Sequence, residues 1–301
     1  MTAFEDCVRS LEERLRVLRD KPEETARTTL TALWQLAAGK ALSCDACESQ
    51  PIPVLNSAAE ACLEGFIARR LAGEPLAYIT GRQRFFGLEM LAEPSALIPR
   101  RETELLARAA VDTGRQMLTN REHIVAIDVC TGSGNLAASL AHYLPQARVF
   151  AADLSPEAIG LARRNARFLG LAGRIETRVG DLLNPFDEPA FHNKVDLLTC
   201  NPPYISTRKL ESMPREIVAF EPAMAFDGGP LGVRIVQRLL REAPRYLASG
   251  GCLAFEVGSG QGPAVIKRMG QMGAYENVRG RPDSTGEIRA VLADRKRGEI
   301  L

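Results

Sequence analysis

Ile124-Val125-Ala126-Ile127-Asp128-Val129-Cys130-Thr131-Gly132-Ser133-Gly134 is the stretch that decides how this chain folds. An apolar run of strand length ends in a turn with glycine at alternate positions. A helical pattern, Leu136-Ala137-Ala138-Ser139-Leu140, follows at once. A buried strand that passes through such a turn into a helix is a building unit of a parallel α/β sheet. Gly132 and Gly134 let the backbone turn sharply and let a ligand approach with no Cβ in the way. The pattern is not G-x-G-x-x-G, because Asn135-Leu136-Ala137 follows, and no lysine follows to make a phosphate-gripping P-loop.

Working outward, the alternation continues. Arg148-Val149-Phe150-Ala151-Ala152-Asp153 reads as the next strand, and Ser155-Pro156-Glu157 opens a helix with Ser155 as cap and Pro156 at the first position. Strands over 175–179 and 195–200, a helix over 232–247 and a strand over 252–257 complete the series. The expected fold is α/β, a mostly parallel doubly wound sheet. Ligands of such sheets sit at the C-terminal rim of the strands. Asp153 ends its strand where a Rossmann-type site places the carboxylate that accepts from ribose hydroxyls. Gly180-Asp181 ends another strand with an acid suited to an adenine amine. Taken alone, each could be an ordinary βα turn with a capping acid.

Asn201-Pro202-Pro203-Tyr204 ends the strand over 195–200. Successive prolines cannot donate to a sheet ladder and fix φ near −65°, and the residue before a proline is held out of the α region. The result is a stiff bend presenting an amide, a backbone carbonyl and an aromatic face. The Asn201 amide oxygen and the Pro202 carbonyl can accept the two N–H bonds of a planar nitrogen substituent while Tyr204 stacks on its plane. Such a nitrogen is a weak nucleophile, so the chemistry expected here is orientation plus electrostatic stabilisation. No histidine or carboxylate adjoins the tetrapeptide in sequence, consistent with a proton that leaves after transfer. Glycine turn, ribose acid, adenine-side acid and tetrapeptide in this order fit an S-adenosylmethionine-dependent N-methyltransferase. A nicotinamide dehydrogenase would leave the tetrapeptide unexplained.

The N-terminal part is helical in pattern, with Leu11, Leu15 and Leu18, then Leu30, Leu33 and Trp34, then Leu63, Phe66, Ile67 and Leu71 at helical spacing. Asn56 or Ser57 caps the last of these. Between Leu76 and Pro99, Tyr78-Ile79-Thr80 and Arg84-Phe85-Phe86-Gly87-Leu88-Glu89-Met90 read as short strands of a hairpin.

A chain of 301 residues, 46% apolar, has a sizeable core, and 38 basic against 37 acidic side chains argue against a broad nucleic-acid surface. Arg163, Arg164 and Arg167, and Arg295-Lys296-Arg297, read as solvated faces. Neither a signal peptide nor a membrane-length run is present, so a cytoplasmic location and no membrane partner are expected. The seven cysteines read as reduced thiols, and Cys44-Asp45-Ala46-Cys47 lacks the further ligands a zinc site needs, so no metal is expected.

The chain resembles the HemK/PrmC protein-(glutamine-N5) methyltransferases. The residues that carry the likeness are Gly73-Glu74-Pro75-Leu76-Ala77-Tyr78-Ile79-Thr80-Gly81, Phe86-Gly87-Leu88, Leu97-Ile98-Pro99-Arg100, the Asp128 to Gly134 turn, Asn201 to Tyr204, Phe220-Glu221-Pro222 and Asp227-Gly228-Gly229. That resemblance implies a class I, Rossmann-like methyltransferase domain over 98–301. Residues 76–97 would be a β-hairpin linker and 1–75 a helical bundle for substrate recognition. It implies S-adenosylmethionine binding by Asp128, Cys130, Thr131, Gly132, Ser133, Gly134, Asp153, Asp181, Leu182 and Asn201. Asn201, Pro202, Pro203 and Tyr204 would hold the acceptor, with Asn201, Pro202 and Tyr204 catalytic. The implied acceptor is the Gly-Gly-Gln glutamine of peptide-chain release factors, with no direct nucleic-acid partner. The alternatives are a relative acting on a free amino acid or another small amide, amine or guanidino compound, a nucleic-acid methyltransferase, and a cofactor-binding protein without activity. The chain departs from the family's usual pattern at Cys130, where glycine is usual, at Arg101, where proline is usual, and over 281–286.

Overall fold

A computed structural model describes residues 3–18, 20–210, 213 and 215–298 of the chain. The N-terminal helices are α1 (Ala3–Glu12), α2 (Ala26–Ala37), the one-turn α3 (Cys44–Cys47) and α4 (Ser57–Leu71). Thr25, Ser43 and Asn56 cap the last three, each side chain accepting from the backbone N–H three positions on. Asn56 rather than Ser57 is therefore the cap. Leu11, Leu30, Leu33, Cys47 and Leu63 meet in a core of their own. The Cys44 and Cys47 thiols are buried and donate to backbone carbonyls. Burial pushes Cys47 up to about 11 and Cys44 higher still. Among the described residues no cluster could hold a metal ion.

Helix α5 (Leu76–Thr80) stands where Tyr78-Ile79-Thr80 was expected to be a strand. Pro75 sits before it and Gly81, at φ +69°, closes it in the left-handed region. All its residues are buried, so β-branched and aromatic side chains that favour a strand in isolation are satisfied by packing on every side. The hairpin itself follows, as β1 (Arg82–Phe85) and β2 (Leu88–Leu91). Its two-residue loop, Phe86 at φ +46° and Gly87 at φ +82°, is the positive-φ turn that matches strand twist.

A 3-10 turn (Arg101–Thr103) leads into α6 (Glu104–Leu118), β3 (Ile124–Val129), α7 (Asn135–Tyr143), β4 (Ala147–Asp153), α8 (Pro156–Phe168), β5 (Ile175–Val179) and β6 (Val195–Cys200). Short helices α9 (Thr207–Leu210) and α10 (Arg215–Phe220) precede α11 (Arg234–Tyr246), β7 (Leu247–Glu256), α12 (Gly262–Gly270), β8 (Tyr275–Pro282) and β9 (Ile288–Arg295). The sheet runs β5-β4-β3-β6-β7-β9-β8, parallel from β5 to β7, with β9 antiparallel to both its neighbours. Alternate residues of β3 serve opposite faces. Ala126 joins the core with Leu136 and Leu197, and Ile127 the core with Phe150, Leu198 and Phe255. The strand order reverses between β3 and β6, which opens a crevice at their C-terminal ends.

Helix α11 begins at Arg234 rather than at Gly232. Gly232 has φ +70°, and a Cβ there would lie 2.2 Å from the Tyr204 carbonyl oxygen, so this glycine is spent on a close approach to the tetrapeptide. Arg295 is also corrected: it is buried and donates to Asn193 Oδ1 and the Leu247 carbonyl. Arg101, the departure from the usual proline, pairs with Asp45 at 2.7 Å and Glu23 at 3.4 Å, which ties the 3-10 turn to the N-terminal helices. Among the described residues no helix is long and apolar enough to cross a membrane.

Candidate active site

The turn after β3 is held from below by Asp128. Its carboxylate, fully buried, accepts from Thr131 Oγ1 at 2.5 Å and Thr199 Oγ1 at 2.7 Å. Asp128 therefore shapes the turn from behind and does not line the cleft above it. Burial pushes its pKa up to about 7 against the pull of those hydroxyls. An acid whose pKa is higher folded than unfolded contributes most below the unfolded value of 3.8, and that contribution is lost as pH rises through about 7. Asp128→Asn should thus remove a stability loss of up to about 3 kcal/mol between pH 5 and 8. Urea unfolding of both proteins at the two pH values checks this, and equal pH slopes would contradict it.

Above the turn lies a cleft of about 1150 Å³, counting its open mouth. Cys130, Thr131, Gly132, Ser133, Asp153, Asp181, Leu182, Asn201 and Pro203 all line it, brought together from the ends of β3, β4, β5 and β6. Gly132, at φ +54°, has nothing within 4 Å of where a Cβ would stand, so the turn presents bare backbone to the open space. Gly134, at φ +81°, faces the other way: a Cβ there would be 3.0 Å from that of Ala162, so it allows α8 to pack close. Cys130, at φ +56°, holds a left-handed conformation that glycine adopts more readily, which gives the family's usual glycine a physical reason.

Asp153 accepts from Gly132 N at 2.8 Å and Ser155 N at 3.0 Å, and burial raises its pKa while those backbone donors lower it. Its carboxylate thus locks the glycine turn to the end of β4 while facing the cleft. Asp181 is bound by Arg238 Nη1 of α11 at 3.0 and 2.9 Å, so this acid reaches the cleft as half of an ion pair. Leu154, Ala158 and Ile235 add apolar lining that sequence spacing had not singled out.

A second cavity opens on the far side of Asn201. Asn201, Pro202 and Tyr204 line it with Ile205, Ile217, Phe226 and Glu256. Asn201 belongs to both spaces, and Leu97, Arg100 and Ala225 share that border. Asn201 Nδ2 donates to Thr103 Oγ1 at 3.1 Å, which leaves Oδ1 as the acceptor for a ligand. The wall of this cavity is built from distant segments. Arg100 Nη2 meets Glu221 at 2.5 Å, Ile98 N donates to the same carboxylate at 3.1 Å, and Ile205 bridges Asp227.

Glu256 corrects one expectation. Although no carboxylate adjoins the tetrapeptide in sequence, this one closes β7 beside it, since Cys200 pairs with Phe255 across the parallel strands. It is 2% exposed, and burial pushes its pKa up to about 6 while the Thr103 and Tyr204 hydroxyls and Arg289 pull it down. Burial also pushes the Tyr204 phenol well up. Neither Thr103 nor Glu256 could be found by local spacing, because each joins the site only through tertiary packing.

Residues 120–274 match a family model described as a methyltransferase domain, and residues 6–81 match the PrmC N-terminal domain. The release factor glutamine methyltransferase of Moorella thermoacetica is 44% identical over 76% of this chain and 78% of its own length. That of Geobacter sulfurreducens is 37% identical over 85% of each chain, and that of Koribacter versatilis 36% identical over 96% of each. Among solved structures, the hMettl16 catalytic domain, crystallised in complex with the MAT2A 3'UTR hairpin 6, superposes with a TM-score of 0.54 at 15% identity. The match covers 72% of this chain and 78% of that one, a likeness of fold alone.

Proposed function

This chain belongs to the release factor glutamine methyltransferases, and on that premise we propose that it transfers a methyl group from S-adenosylmethionine to the side-chain amide of the Gly-Gly-Gln glutamine in a peptide-chain release factor. The observation that carries the reading is the position of Asn201, on the border of the strand-end cleft and a second, partly polar cavity. One residue there can touch donor and acceptor at once.

The cleft fits the cofactor. The bare backbone at Gly132 would admit it closely, the Asp153 carboxylate would accept from ribose hydroxyls, and Leu154, Leu182 and Ile235 offer apolar contact to a base. Asp181, held by Arg238, would present its acceptor edge or the adjacent Leu182 backbone to the base amine. When bound, S-adenosylmethionine supplies a methyl group on a positively charged sulfur. The protein's part is to hold the amide nitrogen in line with it. Asn201 Oδ1 and the Pro202 carbonyl accept the two N–H bonds, and Tyr204 packs against the amide plane. As positive charge develops on that nitrogen these hydrogen bonds strengthen, so they act more on the transition state than on the ground state. Residues 1–75 are proposed to recognise the factor, 76–97 to link, and 98–301 to carry the reaction.

Labelled cofactor offered to intact release factor, to its Gly-Gly-Ala variant and to a pool of small amides, amines and amino acids tests the reading. Label on the native factor alone is expected. Label only on small molecules would overturn it in favour of a small-molecule acceptor.

A further inference from the structure

Helix α10 has six residues, and isolated helices shorter than about 12 residues are marginal in water, so its place depends on what grips it. Charged side chains hold it at both ends. At its start, Glu216 Oε2 accepts from Arg70 Nη1 of α4 at 3.0 Å, and the other arm of that guanidinium, Nη2, donates to Glu24 Oε2 at 3.0 Å. Lys21 Nζ stands 3.5 Å from Glu216 Oε1 and 3.9 Å from Glu24 Oε1. Lys21, Glu24 and Arg70 are buried, so two cations and two carboxylates form a neutral cluster between the N-terminal bundle and α10. Just past the helix, Glu221 accepts from Arg100 Nη2 at 2.5 Å and from Ile98 N at 3.1 Å. Arg100 Nε in turn pairs with Asp20 at 3.2 Å.

This double clamp borders the acceptor cavity, since Asp20, Arg100 and Ile217 all line it. Ile217 follows Glu216, and successive helical positions point about 100° apart. One residue therefore reaches the bundle while the next walls the cavity. The clamp is also directional. Replacing a buried ion pair by apolar side chains of similar size is often neutral in stability, so such a pair is weak evidence of a stabilising role. What a guanidinium between two carboxylates supplies is geometry, because its planar fork orients both partners. Among the described residues Glu216 Oε1 makes no hydrogen bond, so the bond from Arg70 sets the direction of that carboxylate.

We propose that Arg70 is a positioning residue for methyl transfer: acting through Glu216, it sets α10 and with it the Ile217 wall of the cavity that receives the substrate amide. The inference rests on the methyltransferase reading and gives the N-terminal bundle a part in the acceptor site itself. Arg70 lines neither the cofactor cleft nor the acceptor cavity, so its effect passes through the helix. A displacement of about 1 Å caused far from the chemistry can cost on the order of 100-fold in rate.

The test compares the native protein with Glu216→Gln and with the double variant Arg70→Met/Glu216→Leu. The double variant removes one cation and one carboxylate and leaves Lys21 beside Glu24, so no charge of the cluster is stranded. It should unfold as cooperatively as the native protein and bind S-adenosylmethionine within about twofold of the native Kd. Its kcat at saturating release factor should fall on the order of 30-fold, with KM for the factor within about threefold. Glu216→Gln keeps the size of the side chain and should lose about tenfold in kcat with the same KM pattern, which carries the reading if the double variant fails to fold. Native kcat in either folded variant would overturn the proposal. So would a loss seen in KM for the factor alone, which would make the cluster part of a docking surface. A loss of cofactor affinity in step with kcat would overturn it too, as a general loosening of the domain. A native enzyme that methylates no release factor would instead defeat the functional reading, so the two failures are distinguishable.

Discussion

Asn201→Ala should lower methyl transfer to the release factor on the order of 1000-fold while leaving the affinity for S-adenosylmethionine within about threefold. The asymmetry follows from where Asn201 stands. It borders the cofactor cleft, but bare backbone at Gly132, the Asp153 carboxylate and apolar lining supply most of that surface. On the acceptor side its Oδ1 is one of two atoms proposed to receive the amide N–H bonds, and those bonds gain strength only as the nitrogen becomes positive. Losing an interaction made in the transition state lowers kcat, whereas losing a uniform binding contact raises KM. Calorimetry with the cofactor and single-turnover methylation separate the two. Turnover within tenfold of the native enzyme would sink the assigned role.

Asp153→Ala should act in the opposite way, raising the cofactor Kd about 100-fold or more with a far smaller change in kcat at saturating cofactor. A carboxylate that accepts two hydroxyls makes hydrogen bonds worth about 1.5–3 kcal/mol each, and about 1.4 kcal/mol is a tenfold change in Kd. The substitution also removes the acceptor for Gly132 N and Ser155 N, loosening the turn that faces the ligand. Asp153→Asn keeps one acceptor and should fall between. A Kd unchanged in Asp153→Ala, measured by calorimetry, would contradict the ribose role.

Much of this was legible from sequence because the signals are local. The strand of Ile124–Val129, its glycine turn and the following helix are adjacent in the chain, and the ligand-bearing ends of β4, β5 and β6 each close an apolar run. Hydrophobic periodicity and turn chemistry are enough to place them. What escaped was set by contacts distant in sequence. Glu256 and Thr103 reach the tetrapeptide only because β7 lies beside β6 and Asn201 Nδ2 finds Thr103. Asp181 looked like a free acid until Arg238 of α11 came to it. Tyr78-Ile79-Thr80 looked like a strand by propensity, yet Pro75 before it and Gly81 after it mark a helix, and burial on all sides settled the choice. The unusual residues also make sense in place. Cys130 occupies a left-handed position in the turn, and Arg101 exchanges proline's rigidity for ion pairs with Asp45 and Glu23.

The central claim is that Asn201 holds a glutamine amide against the cofactor cleft, and the position of the transferred methyl group tests it most directly. Release factor methylated by the native protein should be digested and fragmented in a mass spectrometer. The account predicts one added methyl group on the side-chain nitrogen of the Gly-Gly-Gln glutamine, absent when Asn201→Ala replaces the native enzyme. A methyl group on any other residue or atom of the factor, or equal labelling by the variant, would contradict it.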